Sequence, residues 1–486
     1  MIKREHGQWR ALIPALLMAA WLGACAQAPT PPTPEATPAS APAEPALRLD
    51  PQLGIATRLA EATLTRIARQ HVTPIPTEVL YARFTERLAA QLSAGPWREP
   101  RPSLREASLA EVIDTLHRSH PDRPILPAVE AALSRLLRAL DDGSLYFDRR
   151  QFGLLQRPSE ERAGIGVLTG HRDQQVVIRE VLGGSPADRA GLGPGDELIA
   201  IDGEPVAGQS RDQVMTRLLG RPGSGLALRI RFAEGDTREI DLRREFVDLP
   251  LVEGRWLPGA IAHVRLRALS DTTVAQFNET FLGLIRKQRA PRALILDLRD
   301  NHGGVLEAAV QLADLFVAEG TLLSLRGRVE SEQTRYMAQP RSKILEQDLP
   351  LVVLINGETT AGAESIAAAL QDHRRALLIG QRSRGAGRLY SVFKLPDQRG
   401  LKLAIGHLYR PAGGAIAPNG VVPDICVSNG EAFISDRAGN PECPREAGPI
   451  TVGKKDPVLN RAARIVADKP LYRDLLEGRL EALPTP

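Results

Sequence analysis

Late in the chain, two short apolar runs bracket an alanine-rich segment, and no other stretch constrains the fold as strongly. Leu351 to Ile355 is continuously apolar, Asn356 to Gly362 is small and polar, and an alanine-rich segment follows through Leu370. A second apolar run, Ala376 to Ile379, then ends at Gly380. The local reading is strand, tight turn, helix and strand. Turns of this kind often expose a nucleophile at a helix N-terminus.

The same alternation extends upstream. Ala260 to Leu266 reads as a strand, Thr273 to Arg286 as a helix, and Ala293 to Leu298 as a buried strand. That last strand runs into Arg299-Asp300-Asn301-His302-Gly303-Gly304. Two glycines at a strand end permit the close backbone approach that an oxyanion site needs. Strands separated by helices argue an α/β domain. Pro51 to Phe152 reads mostly helical, with Leu53, Ala56, Leu59, Ala60, Leu64 and Ile67 at helical spacing, as are Val79, Leu80, Phe84, Leu88 and Leu92. His117 and His120 lack a third ligand cluster, so a solvated helix end is the better reading than a metal site. No cofactor is implied.

At 486 residues the chain is long for one domain, and 43% hydrophobic with 25% charged residues is ordinary for globular proteins. A net charge of +4 spread over that length gives no basis for nucleic-acid binding. Met1 to Cys25 is a targeting segment: Lys3, Arg4 and Arg10 precede an apolar core, Ala11 to Leu22, too short for an ordinary membrane span. Leu22-Gly23-Ala24-Cys25 resembles the bacterial lipobox, in which the cysteine is lipidated; a cleaved secretory peptide that merely contains a cysteine is the other reading. Ala26 after it favours the outer membrane under the usual sorting pattern. The expected location is therefore periplasm-facing and lipid-anchored. Thr30 to Pro45 is a Pro/Ala/Thr tract that builds no core and reads as a semi-rigid tether. In an exported protein Cys426 and Cys443 could pair, and the turn-rich residues between them allow it. Two unrelated thiols is the other reading.

Four separate stretches resemble known families. Ala163 to Arg244 resembles a PDZ domain, through Ser185-Pro186-Ala187-Asp188-Arg189-Ala190-Gly191-Leu192 and Gly195-Asp196-Glu197-Leu198-Ile199-Ala200-Ile201-Asp202-Gly203. Gly164-Ile165-Gly166-Val167 takes the place of its carboxylate-binding loop, and Asp212 to Leu219 that of the helix beside the peptide groove. The implied partners are peptide or protein C-termini, held by strand addition. Asn356 to Tyr390 resembles the nucleophile region of the C-terminal processing peptidases, or tail-specific proteases, which use a serine/lysine dyad. Asn356, Glu364, Ala369-Leu370-Gln371-Asp372, Gly380, Gly385 and Gly387 fall on the family pattern without a gap. Arg299 to Gly304 resembles the family's R-x-N-P-G-G, with His302 in place of proline, and Gly400 to Asp424 follows the family closely.

The resemblance implies an N-terminal helical region, a PDZ domain and a crotonase-like α/β peptidase-type domain. The divisions are 1–25 signal peptide, 26–50 tether, 51–160 helical region, 161–246 PDZ domain, 247–425 peptidase-like core and 426–486 C-terminal extension. It also implies that the family's serine falls on Ala361, its lysine on Ala386 (386 − 361 = 25, the family spacing) and its lysine-orienting glutamine on Tyr390. Alanine has no lone pair to attack a carbonyl and no group to accept a proton. The surviving element would be backbone, with amides at the turn and at Gly303 and Gly304 as an oxyanion-hole-like site.

The leading expectation is a peptide-binding pseudopeptidase, acting as adaptor, scaffold or competitor for an active envelope protease. The alternative is an active serine-type endopeptidase with a rearranged site built from Thr359, Thr360 or Ser365 as nucleophile and His302 as base. Ser365 lies about one helical turn, ~5–6 Å, from the expected position of attack, too far for productive geometry. A purely structural envelope protein is disfavoured by the complete PDZ signature.

Overall fold

The computed structural model describes residues 51–93, 108–156, 163–172, 175–247, 250–287, 290–328, 333–339, 349–428, 431–435, 443–444, 456–480 and 482–483. The targeting segment, Cys25 and the tether lie outside the described residues. In chain order the first elements are α1 (Pro51–Gln70), α2 (Thr77–Leu92), α3 (Leu109–Ser119), α4 (Ile125–Arg138), β1 (Leu145–Phe147) and α5 (Arg149–Leu155). Next come β2 (Val167–Arg172), β3 (Gln175–Val181), α6 (Pro186–Arg189), β4 (Glu197–Ile201), β5 (Glu204–Pro205), α7 (Arg211–Leu218), β6 (Gly225–Arg231) and β7 (Thr237–Arg243).

The third group opens with β8 (Val252–Leu257), β9 (Ile261–Leu266), α8 (Thr273–Lys287), β10 (Ala293–Asp297), α9 (Leu306–Asp314), β11 (Thr321–Gly327) and β12 (Gln333–Met337). It continues with β13 (Leu351–Ile355), α10 (Gly362–Asp372), β14 (Leu377–Gly380), β15 (Arg388–Leu395) and β16 (Arg399–Tyr409). The chain closes with β17 (Ile425–Ser428), β18 (Glu431–Ile434), α11 (Pro457–Ala467) and α12 (Lys469–Leu476).

A seven-stranded sheet, ordered β18-β17-β14-β13-β10-β9-β8, carries the site. Its interior pairs are parallel and both edge pairs are antiparallel. Parallel strands buried on both faces read as continuous apolar runs, and Leu351 to Ile355 is buried throughout. Period-two alternation divides that run between two layers. Leu351, Val353 and Ile355 pack with α8, α9 and α10, whereas Val352 and Leu354 pack with α11 and α12. The residues after 425 are thus more than an extension. They supply two strands and the layer under the sheet.

That lower layer is fixed by charge as well as packing. Arg299 donates to Asp297 and to Asp456, the N-cap of α11, and His263 meets Asp297 at 3.2 Å. Cys426 and Cys443 are joined by a disulfide, Cα to Cα 5.8 Å.

The N-terminal helices do not close a core alone. Their apolar faces pack on Leu395, Leu401 and Leu403, and β1 pairs antiparallel with β16, Tyr146 opposite Leu401. The described residues between 51 and 156 are therefore continuous with the second sheet, β1-β16-β11-β12 with β15 beside β16. The PDZ-type unit is a separate sheet, β2-β3-β4-β6-β7, with β5 beside β4 and its own core around Ile178, Val214 and Leu228. Among the described residues no helix is long and apolar enough to cross a membrane.

Candidate functional site

Between β13 and α10 the chain makes a turn held by side chains at its base. Asn356 Oδ1 accepts from Asp300 N at 3.0 Å and Glu358 N at 3.1 Å. Thr359 Oγ1 donates to Leu298 O, and Thr360 N donates to Asn301 O. Ala361 follows at φ 48°, ψ −112°, a region that a non-glycine residue enters at a cost of about 1–3 kcal/mol. Gly362 begins the helix. Its N–H meets no acceptor among the described residues.

Gly303 backs onto this turn. A Cβ there would lie 3.0 Å from Gly362 N and 3.1 Å from the Ala361 Cβ, so only glycine fits. Its own N–H is committed to Asn301 Oδ1 at 2.8 Å, which removes it from the oxyanion-hole-like pair that the sequence suggested. Gly304 N–H and Gly362 N–H are the amides left open. Gly362 is the turn amide that the sequence offered without naming it, and the amide following a nucleophile position is a recurrent oxyanion donor.

Glu364, also unassigned from sequence, organises both halves of the turn. Its carboxyl accepts from Ala361 N at 2.8 Å, Ala386 N at 3.1 Å, Gly385 N at 2.6 Å and the Ser383 hydroxyl. One oxygen, Oε2, serves both Ala361 and Ala386, so their backbone nitrogens lie no more than about 6 Å apart. Burial pushes this carboxyl up to about 7, against the opposing pull of its hydrogen bonds.

Tyr390 points elsewhere. Its hydroxyl donates to Asp141 Oδ1 at 3.2 Å, and its ring fills the space where a Cβ on Gly143 would be, 2.4 Å away. Asp141 also accepts from Ser144 and meets His71 Nε2 at 3.0 Å. Burial raises the Tyr390 phenol well above its ordinary value, and the Asp141 charge adds to this.

Two of the alternative nucleophiles, Ser365 and Thr359, have hydroxyls engaged by the backbone, whereas Thr360 is tied through its N–H. Ser365 Oγ donates to Ala361 O at 3.2 Å, and Thr359 Oγ1 is held as described. His302 stands 3.9 Å from Glu358, and burial first, then Arg211, Arg384 and Arg179, holds its pKa well below the ordinary value. Glu358 itself pairs with Arg384 at 2.8 Å.

The PDZ-type unit presents a second candidate surface. Gly164 N donates to Glu245 O and Gly164 O accepts in return, so Gly164 belongs to a backbone bridge and not to an open amide cradle. The amides of Ile165 and Gly166 meet no acceptor among the described residues, and Val167 opens β2 opposite Val181. β2 is an edge strand flanked by α7.

Together these features define a PDZ-bearing α/β scaffold of the peptidase type. Residues 260–427 match Peptidase family S41, and residues 154–231 match the PDZ domain. A carboxy-terminal-processing protease of Bartonella bacilliformis is 29% identical over 66% of this chain and 74% of its own length. The corresponding protease of Synechocystis sp. is 30% identical over 64% of this chain and 74% of its own. The structure of a photosystem II D1 C-terminal processing protease superposes with a TM-score of 0.54 at 25% identity, covering 76% of this chain and 92% of that one. The chain belongs to the carboxy-terminal processing protease family.

Proposed function

We propose that this member of the family binds peptide C-termini without cleaving them. The observation that carries the reading is the pair Ala361 and Ala386, both fixed on Glu364 in a turn whose backbone is otherwise intact. A serine at the first position and a lysine at the second would complete the family's dyad; neither alanine can attack or accept a proton. The open amides of Gly304 and Gly362 do not supply the missing steps, since an oxyanion hole with binding alone leaves only about 10³–10⁴-fold over water in triad enzymes. Peptide capture is assigned to Ile165, Gly166 and Val167, where loop amides and an edge strand are available to a terminal carboxylate. The chain then acts as an adaptor for, or competitor of, an active envelope protease.

The same reading places the protein on the periplasmic side of the outer membrane, anchored through a lipid on Cys25. The lipobox and the proline-rich tether support that placement. Cys25→Ser is expected to release the protein into the soluble fraction and abolish fatty-acid labelling. Unchanged fractionation would remove the anchor from the account.

Restoring the dyad tests the disarmed site. Ala361→Ser alone leaves the hydroxyl proton without an acceptor, and Ala386→Lys alone supplies a base with nothing to activate. Cleavage of an unfolded substrate with an apolar C-terminus is expected only from the double variant, or from the triple variant with Tyr390→Gln. Activity of Ala361→Ser alone at the double variant's rate would contradict the reading.

A further inference from the structure

Between α5 and the C-terminal end of α7 lies a cleft of about 650 Å³ that neither the turn nor the peptide groove uses. Arg149 and Arg150 of α5, Arg217 of α7 and Arg221 of the following loop line it. Arg217 stands two residues after Met215, whose sulfur meets Thr169 of β2, and two residues turn a helix by about 200°. The cleft therefore lies on the other side of α7 from the groove. Arg217 donates to Ile201 O and Glu204 O, while its Nη1 is buried without a hydrogen-bond partner among the described residues. Gly220 and Ser224 of the lining back onto Arg244, whose side chain is wholly buried. The Arg244 guanidinium donates to Leu218 O, Arg217 O, Gly225 O and Ser224 Oγ, all of them neutral acceptors.

The acids around the cleft do not balance these charges. Asp148 caps α5, accepting from Gln151 N at 2.7 Å, and Asp202 accepts from Ala227 N at 3.0 Å. Glu204 lies 3.4 Å from Arg217, but its carboxylate is exposed, where such a pair contributes little. Arg149, Arg150 and Arg221 are exposed and have no ion pair or side-chain hydrogen bond among the described residues. Burial, and then the Arg150 charge, lower the proton affinity of Arg217 and Arg244 against the pull of the nearby acids. Converging like charges of this kind are relieved by a bound anion. A phosphate fits donors set on several elements, since it offers three strong acceptor oxygens and a charge of about −1.5 to −2, whereas a carboxylate offers two oxygens in one plane. Asp202 and Glu204 at the rim can accept from hydroxyl groups. The volume falls within the range of about 300–1,000 Å³ usual for small-molecule sites.

We propose that this cleft binds a phosphate monoester of a polyol, free or as a lipid headgroup, between α5 and the PDZ-type unit. Arg150 and Arg221 hold the phosphate from the two walls, Arg217 holds it from α7, and Asp202 and Glu204 take the hydroxyls. The site is separate from the peptide groove and from the peptidase-type turn, so it stands whether or not the chain cleaves peptides.

The test uses the protein over residues 26–486. Calorimetric titration with glycerol 3-phosphate, with glycerol as control, probes the free ester. Flotation with phosphatidylcholine vesicles, with and without phosphatidic acid, probes the headgroup. Arg150→Gln combined with Arg221→Gln removes two exposed cleft charges. Arg229→Gln combined with Arg238→Gln removes two from β6 and β7, outside the cleft. Glycerol 3-phosphate is expected to bind where glycerol does not, about 10-fold or more weakly in the cleft variant and unchanged in the control variant. Binding confined to phosphatidic acid vesicles, and lost in the cleft variant alone, assigns the site to a headgroup. Urea midpoints check folding, and the Arg221→Gln single variant carries the comparison where the double variant is destabilised. Absence of binding to either probe, or binding that survives the cleft variant or falls equally in the control variant, would overturn the proposal.

Discussion

The turn at Asn356 to Glu364 and the groove between β2 and α7 differ in what they leave open. In the turn nearly every side-chain valence is closed: Glu364 takes four donors, Asn356 spans two loops, and Thr359 and Ser365 donate to carbonyls. Its open groups are backbone amides. In the groove two loop amides, of Ile165 and Gly166, face a free strand edge without partners among the described residues. Closed valences hold a shape, whereas open ones wait for a ligand. On the proposed reading, binding and chemistry have come apart in this chain, and the loss is confined to the side chains that react.

The largest expected effect lies in the closed region. Glu364→Ala would leave the amides of Ala361, Gly385 and Ala386 and the Ser383 hydroxyl without their acceptor, costing about 4 kcal/mol of stability. Urea denaturation of the protein over residues 26–486 measures it, and a loss below about 1 kcal/mol would show that the turn is not organised by this carboxyl. Arg299→Ala follows, at about 3 kcal/mol. It strands Asp297 and Asp456 in the interior and uncouples α11 from the sheet.

These two residues mark where sequence reading stopped. The apolar runs at Ala293 and Leu351 were legible because strands buried on both faces have no polar positions to interrupt them. The surrounding glycines and Glu364 singled out Ala361 and Ala386, and the structure brings both backbone amides onto that one carboxyl. What Glu364 does was not, because its four donors come from positions up to 22 residues away and three of them are backbone. Nor could periodicity show that α11 lies under β10 and β13, or that β1 joins β16, since both contacts join segments far apart in the chain. Gly164 looked like a loop amide, yet its partner, Glu245, lies across the PDZ-type unit.

A smaller effect is expected with pH. Glu364 titrates near 4.5 when unfolded and at about 7 when folded, so the unfolded chain releases this proton first. The stability it contributes is fully present below about pH 4.5 and falls as pH rises through 7, by about 3 kcal/mol in all. Denaturation midpoints at pH 5 and pH 8 measure the loss, and Glu364→Gln should flatten that part of the difference. The smallest effect is Tyr390→Phe, which removes one hydrogen bond to Asp141 and costs about 1 kcal/mol. It should leave peptide affinity in the groove unchanged. A change there would mean that the two regions are not separable.

The most direct test of the central claim is a mass-spectrometric cleavage assay. The purified protein, residues 26–486 and otherwise unmodified, is incubated with an unfolded protein that ends in small apolar residues, and the intact mass of that substrate is followed. A binding protein whose reactive positions are Ala361 and Ala386 leaves the mass unchanged. Truncation of the substrate that disappears in Ser365→Ala or in His302→Ala would contradict the account and locate a working active site at those residues.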